Sequence, residues 1–93
     1  MKRQKEFMQI FAELDDIDDV EQFCREIFTI KELEDISLRW QLLKELHQGI
    51  PQRTIAANHR ISLCKITRGS KILKEKGSIT LKLLEKNHKR DDR

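Results

Sequence analysis

The residues best suited to chemistry in this 93-residue chain lie between Gln52 and Lys71, in the segment QRTIAANHRISLCKITRGSK. Five basic residues that could contact a polyanion lie in this segment or just beyond it, namely Arg53, Lys65, Arg68, Lys71 and Lys74. No acidic residue occurs from Gly49 to Lys74. A solvated helix face usually mixes both signs of charge, whereas contacts to phosphate groups use positive charge alone. The segment therefore predicts a surface that binds a polyanion such as DNA.

The same segment has the spacing of a helix-turn-helix. Ala56 is small enough to let two helices cross closely. Three isoleucines have the offsets to pack beneath the turn, namely Ile55, Ile61 and Ile66. Arg60 stands where such turns normally have glycine, which reaches positive φ at little cost. A helical hairpin without a role in DNA binding remains the alternative at this point.

The second helix of this segment is expected to start at a Ser62 cap and to present its first turns to a DNA groove. Leu63 and Cys64 can touch thymine methyl groups, and Lys65 and Thr67 can hydrogen bond to base edges or phosphates. The predicted DNA-binding set is Gln52, Arg53, Ala56, Ser62, Leu63, Cys64, Lys65, Thr67 and Lys71.

The composition describes the scaffold that must position these residues. Apolar residues make up 38% of the chain and charged residues also 38%, against about 25% charged in an average soluble domain. Residues 1–45 carry 7 Lys and Arg against 12 Asp and Glu, and residues 46–93 carry 12 against 4, so the net charges are −5 and +8. We expect one domain over residues 1–93, with a basic half for DNA and a lean core that is either partly unordered or shared between two chains.

Apolar residues recur at helical spacing almost throughout, which predicts an all-α chain of six helices. We expect a helical dimerisation core over residues 1–48, the helix-turn-helix over 52–75 and a C-terminal core helix over 78–88, with a fraying tail from Asn87. The second of the six helices is expected to be capped by Asp18 or Asp19. Trp40 is expected to lie in the core.

Helix-end signals divide the chain further. Thr29 and Glu32 form a capping box for a long helix from Ile30 to about Gln48. Gly49 is placed to end that helix and Pro51 to begin the next. Gly77 ends the second helix of the helix-turn-helix, and Ser78 caps the last helix of the chain.

Other classes of site find little support. The acidic residues between Asp15 and Asp19 lack the glycine and final glutamate of a calcium loop. Cys24 and Cys64 show no zinc spacing, and the three histidines are expected at the surface or at helix caps. No catalytic set, phosphate loop, signal peptide or membrane span is present, so we expect a cytoplasmic protein that is not an enzyme.

At Ile66 to Ser70, with the letters ITRGS, the sequence resembles the bacterial trp repressor family. Gln52-Arg53 and the spacing of ten residues from Thr29 to Arg39 support the resemblance. It covers roughly residues 20–85, in register apart from a one-residue deletion near Ile50. The resemblance implies an intertwined homodimer with six helices per chain, double-stranded operator DNA as a partner, and L-tryptophan as corepressor with no other cofactor.

The resemblance also implies a ligand site. Arg39 and Arg68 would hold the indole between them, with Arg68 meeting the carboxylate, and Gly69 would allow the ligand to approach the helix closely. Phe28 and Thr29 would close the pocket from the other subunit. Ile72 stands where the family usually has a serine that helps bind the polar end of the ligand. The implied ligand-binding set is Phe28, Thr29, Arg39, Arg68, Gly69 and Ile72.

Two functions follow as hypotheses. The first is a tryptophan-dependent repressor of tryptophan biosynthesis or uptake genes. The second is a helix-turn-helix DNA-binding module without a small-molecule effector, as in replication initiators or transposases. A helical adaptor that binds protein would leave the basic segment unexplained.

Overall fold

The chain is described here from a computed structural model, which describes residues 2–91 and the side chains of residues 2–87. Those residues form helices and turns and contain no strand, so the prediction of an all-α chain with six helices is confirmed. The helices are α1 (Lys2–Glu13), α2 (Ile17–Ile27), α3 (Ile30–His47), α4 (Gln52–His59), α5 (Leu63–Lys74) and α6 (Ile79–Asp91).

The chain divides into two compact units, one up to Ile36 and the other from Ser37 onward. The boundary lies inside α3, and the predicted dimerisation core over residues 1–48 stays a prediction. The first unit therefore contains α1, α2 and the start of α3. The second unit contains the rest of α3 with α4, α5 and α6.

All four phenylalanines of the chain form one cluster in the first unit. The ring centroids of Phe7 and Phe11 lie 5.0 Å apart and those of Phe11 and Phe23 lie 5.2 Å apart, both edge to face. Phe28 packs edge to face on Phe7 at 6.0 Å. Such pairs contribute about 0.5–1.5 kcal/mol each beyond the area they bury. Even so, no side chain in the described residues 2–36 is fully buried.

The helix boundaries of the first unit follow local hydrogen bonds. Asp16 is the N-cap of α2, and its Oδ1 accepts from the Asp18 backbone N–H at 2.9 Å. The expectation that Asp18 or Asp19 caps this helix is therefore wrong. Both lie in the first turn, where their negative charges complement the helix dipole. The capping box is confirmed, since Thr29 N–H donates to Glu32 Oε1 at 2.9 Å and Glu32 N–H donates to Thr29 Oγ1 at 3.1 Å.

The end of α3 is a Schellman motif. Gly49 adopts φ +86°, its N–H donates to the Leu46 carbonyl at 3.0 Å, and the Ile50 N–H donates to the Glu45 carbonyl at 3.1 Å. The predicted role of Gly49 is confirmed. Pro51 lies one position before its expected place, at the N-cap of α4, and its carbonyl accepts from the Ile55 N–H at 3.1 Å.

The core of the second unit is built by α3, α4 and α5. Ile55 and Ile66 are fully buried and Leu42 is 5% exposed. Five partly buried residues pack against these three, namely Leu38, Leu46, Ile50, Ala56 and Ile61. The predicted packing of isoleucines beneath the turn is thereby confirmed.

One side of α3 is covered by the rest of the second unit. Trp40 remains 37% exposed and Ile36 47% exposed in the single chain, so this chain alone does not bury Trp40, and its place in a core shared with a second chain stays a prediction. The residues that face α4 and α5 are instead Leu38, Leu42 and Leu46, at i, i+4 and i+8. Because α3 carries two apolar stripes, periodicity alone could not tell which one the chain itself covers.

The last helix begins as the sequence indicates. Ser78 Oγ accepts from the Leu81 N–H at 3.1 Å, and Gly77 at φ +78° supplies the turn before it. Leu84 is 3% exposed and anchors α6, which contacts α5. The helix continues to Asp91 through residues expected to fray, since lysine and arginine have a high intrinsic helix propensity. Residues 92 and 93 and the side chain of His88 lie outside the described part of the chain.

Across residues 2–91, none of the helices combines the length and the apolar composition needed to cross a lipid bilayer.

Candidate nucleic-acid interface

The turn between α4 and α5 depends on one unusual backbone conformation. Arg60 adopts φ 55° and ψ 48°, and within the described residues it is the sole non-glycine residue with positive φ. Its N–H and that of Ile61 both donate to the Ala56 carbonyl, the second at 3.1 Å. Arginine therefore adopts the left-handed conformation that glycine normally supplies.

Ala56 is half-buried against the core cluster, so its predicted position where the two helices pack is confirmed. Its carbonyl is occupied by the turn. No observation places Ala56 at a surface that could meet DNA, and that part of its assignment stays a prediction.

The first turns of α5 are exposed. The side chains of Ser62, Leu63, Cys64, Lys65 and Thr67 all face solvent, and Leu63 is 45% exposed despite being apolar. Ser62 occupies the N-cap, but its hydroxyl caps no backbone N–H, so the expected side-chain cap is wrong. The start of α5 therefore has a free hydroxyl and helix N–H groups that its own cap does not satisfy.

A side-chain contact joins the two helices on this surface. The Thr67 hydroxyl lies 3.3 Å from Gln52 Oε1 and 3.0 Å from the Leu63 carbonyl. Because the Gln52 oxygen is the accepting atom, its two amide N–H groups remain as donors for another partner. The contact brings the predicted residues Gln52 and Thr67 together across α4 and α5.

The charge on this surface has one sign. Six basic side chains are exposed on α4, the turn and α5, namely Arg53, Arg60, Lys65, Arg68, Lys71 and Lys74. No acidic residue interrupts them in sequence. A surface with several positive charges and exposed hydrogen-bond donors can position phosphates and reach base edges.

The predicted ligand residues of the second unit lie near the place where α5 crosses α3. A Cβ added to Gly69 would lie 3.1 Å from Leu46 Cδ1 and 3.3 Å from Leu43 Cδ2. Glycine therefore lets α5 approach α3 closely. Arg39 is exposed one helical turn before Leu43 on the same face, about 6 Å along the axis. Arg68, next to Gly69, is also exposed, and Ile72 is half-buried.

The other two predicted ligand residues lie in the first unit and have local partners. Phe28 belongs to the phenylalanine cluster, and Thr29 forms the capping box with Glu32. Hydrogen bonds from the Thr29 backbone N–H, and next from its side chain, hold the pKa of Glu32 below its ordinary value.

A contact between α3 and α4 was not anticipated. Glu45 is 7% exposed, and its Oε2 lies 2.8 Å from His59 Nε2 and 2.9 Å from Gln41 Nε2. His59, expected at the surface or at a helix cap, is therefore half-buried, and its ring is hydrogen-bonded to Glu45. Glu45 falls at i+3 from Leu42 and i+7 from Leu38, the spacing of the covered stripe, and this carboxylate within an apolar pattern was the available signal.

Burial raises the pKa of Glu45, but hydrogen bonds from Gln41 and His59, together with the charge of His59, lower it by more. The net pKa lies below the ordinary value, so this carboxylate is held in its charged form. Among the described residues, no group of three or more His, Cys, Asp and Glu side chains is arranged to hold a metal ion.

Comparison with known proteins gives the following matches. The family model described as Trp repressor protein matches residues 2–88. Two Trp operon repressor homologs, from Chlamydia trachomatis serovar D and serovar A, are each 34% identical over 80 residues, which is 80% of this chain and 85% of the relative. No solved structure gives a significant match.

Proposed function

Because the chain belongs to the Trp repressor family, we propose that it is an L-tryptophan-responsive repressor that binds operator DNA as a homodimer. The family consists of transcription regulators and not of enzymes. In this proposal α4 and α5 are the helix-turn-helix of each subunit, and the genes under control serve tryptophan biosynthesis or uptake. Such a regulator acts in the cytoplasm, where the DNA is.

The observation that carries the DNA-binding part is the surface at the start of α5. Ile55 and Ile66 are fully buried beneath it, while Leu63, Lys65 and Thr67 are exposed above it. A rigid base with exposed donors and unmixed positive charge is what groove recognition requires.

The dimer is supported by the first unit. Side chains in α1, α2 and the start of α3 keep large apolar areas exposed, and none of the described residues 2–36 is buried. The exposed apolar residues there are Met8, Ile10, Ile17, Ile27, Ile30 and Ile36. Surfaces of this size in a short chain mark an interface, and a second copy supplies the missing core.

The ligand part is supported by the crossing of α3 and α5. Arg39 lies one turn from the point where Gly69 contacts α3, and Arg68 adjoins that point. A planar guanidinium stacks on an aromatic ring and pairs with a carboxylate, which matches the two ends of tryptophan. Tryptophan would favour DNA binding only if it binds the DNA-competent arrangement more tightly than others.

The test is a selection from duplexes with a randomised centre, carried out with and without L-tryptophan at one fixed salt concentration. We expect one duplex class to be enriched only with tryptophan, and calorimetry to show one tryptophan per subunit. Enrichment without any effect of tryptophan would favour the effector-independent DNA-binding module. No enrichment in either condition would exclude both functions.

A matched pair of arginine variants tests the ligand site. Arg39→Ala should abolish the effect of tryptophan on duplex affinity while leaving salt-sensitive binding to mixed-sequence DNA unchanged, because Arg39 lies outside the basic surface of α4 and α5. Arg25→Ala removes an exposed arginine whose partner is Glu21 in α2, and it should retain the tryptophan response. An unchanged response in Arg39→Ala would remove this residue from the ligand site.

A further inference from the structure

Glu45 and His59 form a hydrogen bond, here called the Glu45–His59 contact. A hydrogen bond has a preferred direction, whereas packing in the apolar core does not. One oxygen of Glu45 accepts from His59 Nε2 at 2.8 Å and from Gln41 Nε2 at 2.9 Å. An ionised carboxylate has no proton to give, so the imidazole Nε2–H is the donor. Gln41 lies one turn earlier in α3 and fixes the carboxylate within that helix.

The location of this contact gives it a consequence for α5. His59 is the last residue of α4, and the next residue is Arg60 in the left-handed conformation. A strained backbone of this kind persists when the surrounding structure over-determines it. The buried isoleucines hold α4 and α5 together, but apolar contact is non-directional and tolerates small rotations. The Glu45–His59 contact restrains the position directly before the strained turn.

We propose that Glu45 and His59 are positioning residues for DNA binding, whose contact fixes the end of α4 on α3 so that the Arg60 turn holds α5 in one orientation. The inference rests on the proposed function only where DNA affinity is the readout. The DNA probe is the duplex recovered from the randomised selection.

Single variants at His59 give the first measurement. His59→Leu removes the donor and should weaken duplex affinity about ten-fold, the size expected from one hydrogen bond to a charged group. His59→Gln keeps an N–H donor at a similar distance and should stay within about three-fold of the wild type. Equal losses in the two variants would contradict a role for the hydrogen bond.

A double variant separates positioning from stability. Replacing both partners, as in Glu45→Leu with His59→Leu, leaves no buried charge, and such replacements often preserve or raise stability. We expect the midpoint of urea unfolding to be unchanged or higher, while duplex affinity falls as in His59→Leu. If the duplex affinity of the double variant were instead unchanged or higher, in parallel with its stability, the contact would have only a structural role.

The connection to the turn is tested by adding Arg60→Gly, which relieves the left-handed strain. If the contact acts by holding that turn, His59→Leu should lose less affinity in the Arg60→Gly background than in the wild type. The charge that Arg60→Gly removes cancels in this comparison. Strictly additive losses would overturn the connection to Arg60.

Hydrogen exchange without DNA completes the test, with Glu21→Gln, which alters an exposed ion pair in α2, as the control for an unrelated polar contact. Amides of α4 and the start of α5 should exchange faster in His59→Leu and at the wild-type rate in Glu21→Gln. If the wild type binds no duplex, the proposed function fails, and exchange alone decides whether the contact holds the turn. Unchanged exchange in His59→Leu would overturn the inference whatever the DNA result.

Discussion

Arg60 adopts a backbone conformation that is unfavourable for a residue with a side chain, and the turn forms nevertheless. A non-glycine residue in the left-handed region costs roughly 1–2 kcal/mol, and Arg60 has φ 55°. Its N–H and that of Ile61 close the turn on the Ala56 carbonyl. These bonds and the buried isoleucines offset the strain, so the turn forms without glycine.

Replacing this arginine should therefore stabilise the chain. Arg60→Gly is expected to raise the free energy of unfolding by about 0.5–1 kcal/mol, after the greater entropy of glycine in the unfolded chain is allowed for. Urea unfolding measures the change.

Asn58→Gly is the matched control, since Asn58 lies two residues earlier in the right-handed helix α4. It should destabilise by up to about 0.5 kcal/mol, because glycine is the poorer helix former. If both glycine variants changed stability in the same direction, strain at Arg60 would not be the explanation.

Helices α5 and α6 both begin after a serine, but the two serines differ in what they bond. Ser78 Oγ accepts from the Leu81 N–H, whereas the Ser62 hydroxyl bonds to no backbone N–H of α5. The N-cap position alone therefore does not indicate stabilisation of a helix. In α5 the unsatisfied first turn coincides with the surface proposed to meet DNA.

The two serines make a matched pair for measurement. Ser78→Ala should lower the free energy of unfolding by about 1 kcal/mol, the usual value for a bonded cap. Ser62→Ala should change it by less than about 0.3 kcal/mol in the absence of DNA, because no cap bond is lost. A large loss in Ser62→Ala would mean that its hydroxyl caps α5 in solution.

The connection between α3 and α4 should be sensitive to acid. The pKa of Glu45 in the folded chain lies below its ordinary value of 4.5. The charged Glu45 carboxylate therefore contributes its full stabilisation of the folded chain at pH above that value. This contribution is lost as the pH falls through the folded pKa, where the carboxylate takes up a proton. Glu45→Gln should lose about 1–3 kcal/mol at neutral pH, and its free energy of unfolding should then fall less steeply than that of the wild type as the pH drops below 4.5.

Unfolding by urea across that pH range measures both quantities. Glu21→Gln, at an exposed ion pair in α2, should follow the wild-type curve because such pairs contribute little. A Glu45→Gln curve parallel to the wild type would remove Glu45 as a source of acid sensitivity.

At the scale of the whole molecule, the described residues contain a well-covered core in the second unit and an exposed apolar surface in the first. Leu42, Ile55 and Ile66 are buried in the second unit, whereas no described residue of the first unit is. A proposed second copy would cover that surface, so folding and association would be linked.

The thermal midpoint should therefore rise with protein concentration, and sedimentation should give a dimer. Ile27→Glu, at a residue 50% exposed in α2, should shift the population to monomer and lower the midpoint. Leu63→Glu, at a similarly exposed residue in α5, should leave the dimer intact. A midpoint independent of concentration, with monomers in both variants and the wild type, would contradict the proposal.

The sequence by itself determined the features that depend on neighbours along the chain. Helical periodicity predicted six helices, the spacing of Thr29 and Glu32 predicted their capping box, and Gly49 marked the end of α3. The isoleucines beneath the turn were predicted because their offsets follow from the two helices they join. These features succeeded because hydrogen bonds and side-chain spacing within a helix are local.

Only the tertiary structure decided which face of α3 is covered and which residues distant in sequence meet. The apolar residues of α3 occupy more than one side of the helix, and packing within the chain covers Leu42 while leaving Trp40 37% exposed. Glu45 and His59 meet across fourteen positions, a distance at which no local pattern pairs residues. Burial is a property of what lies opposite a side chain, and the sequence specifies that only through the complete fold.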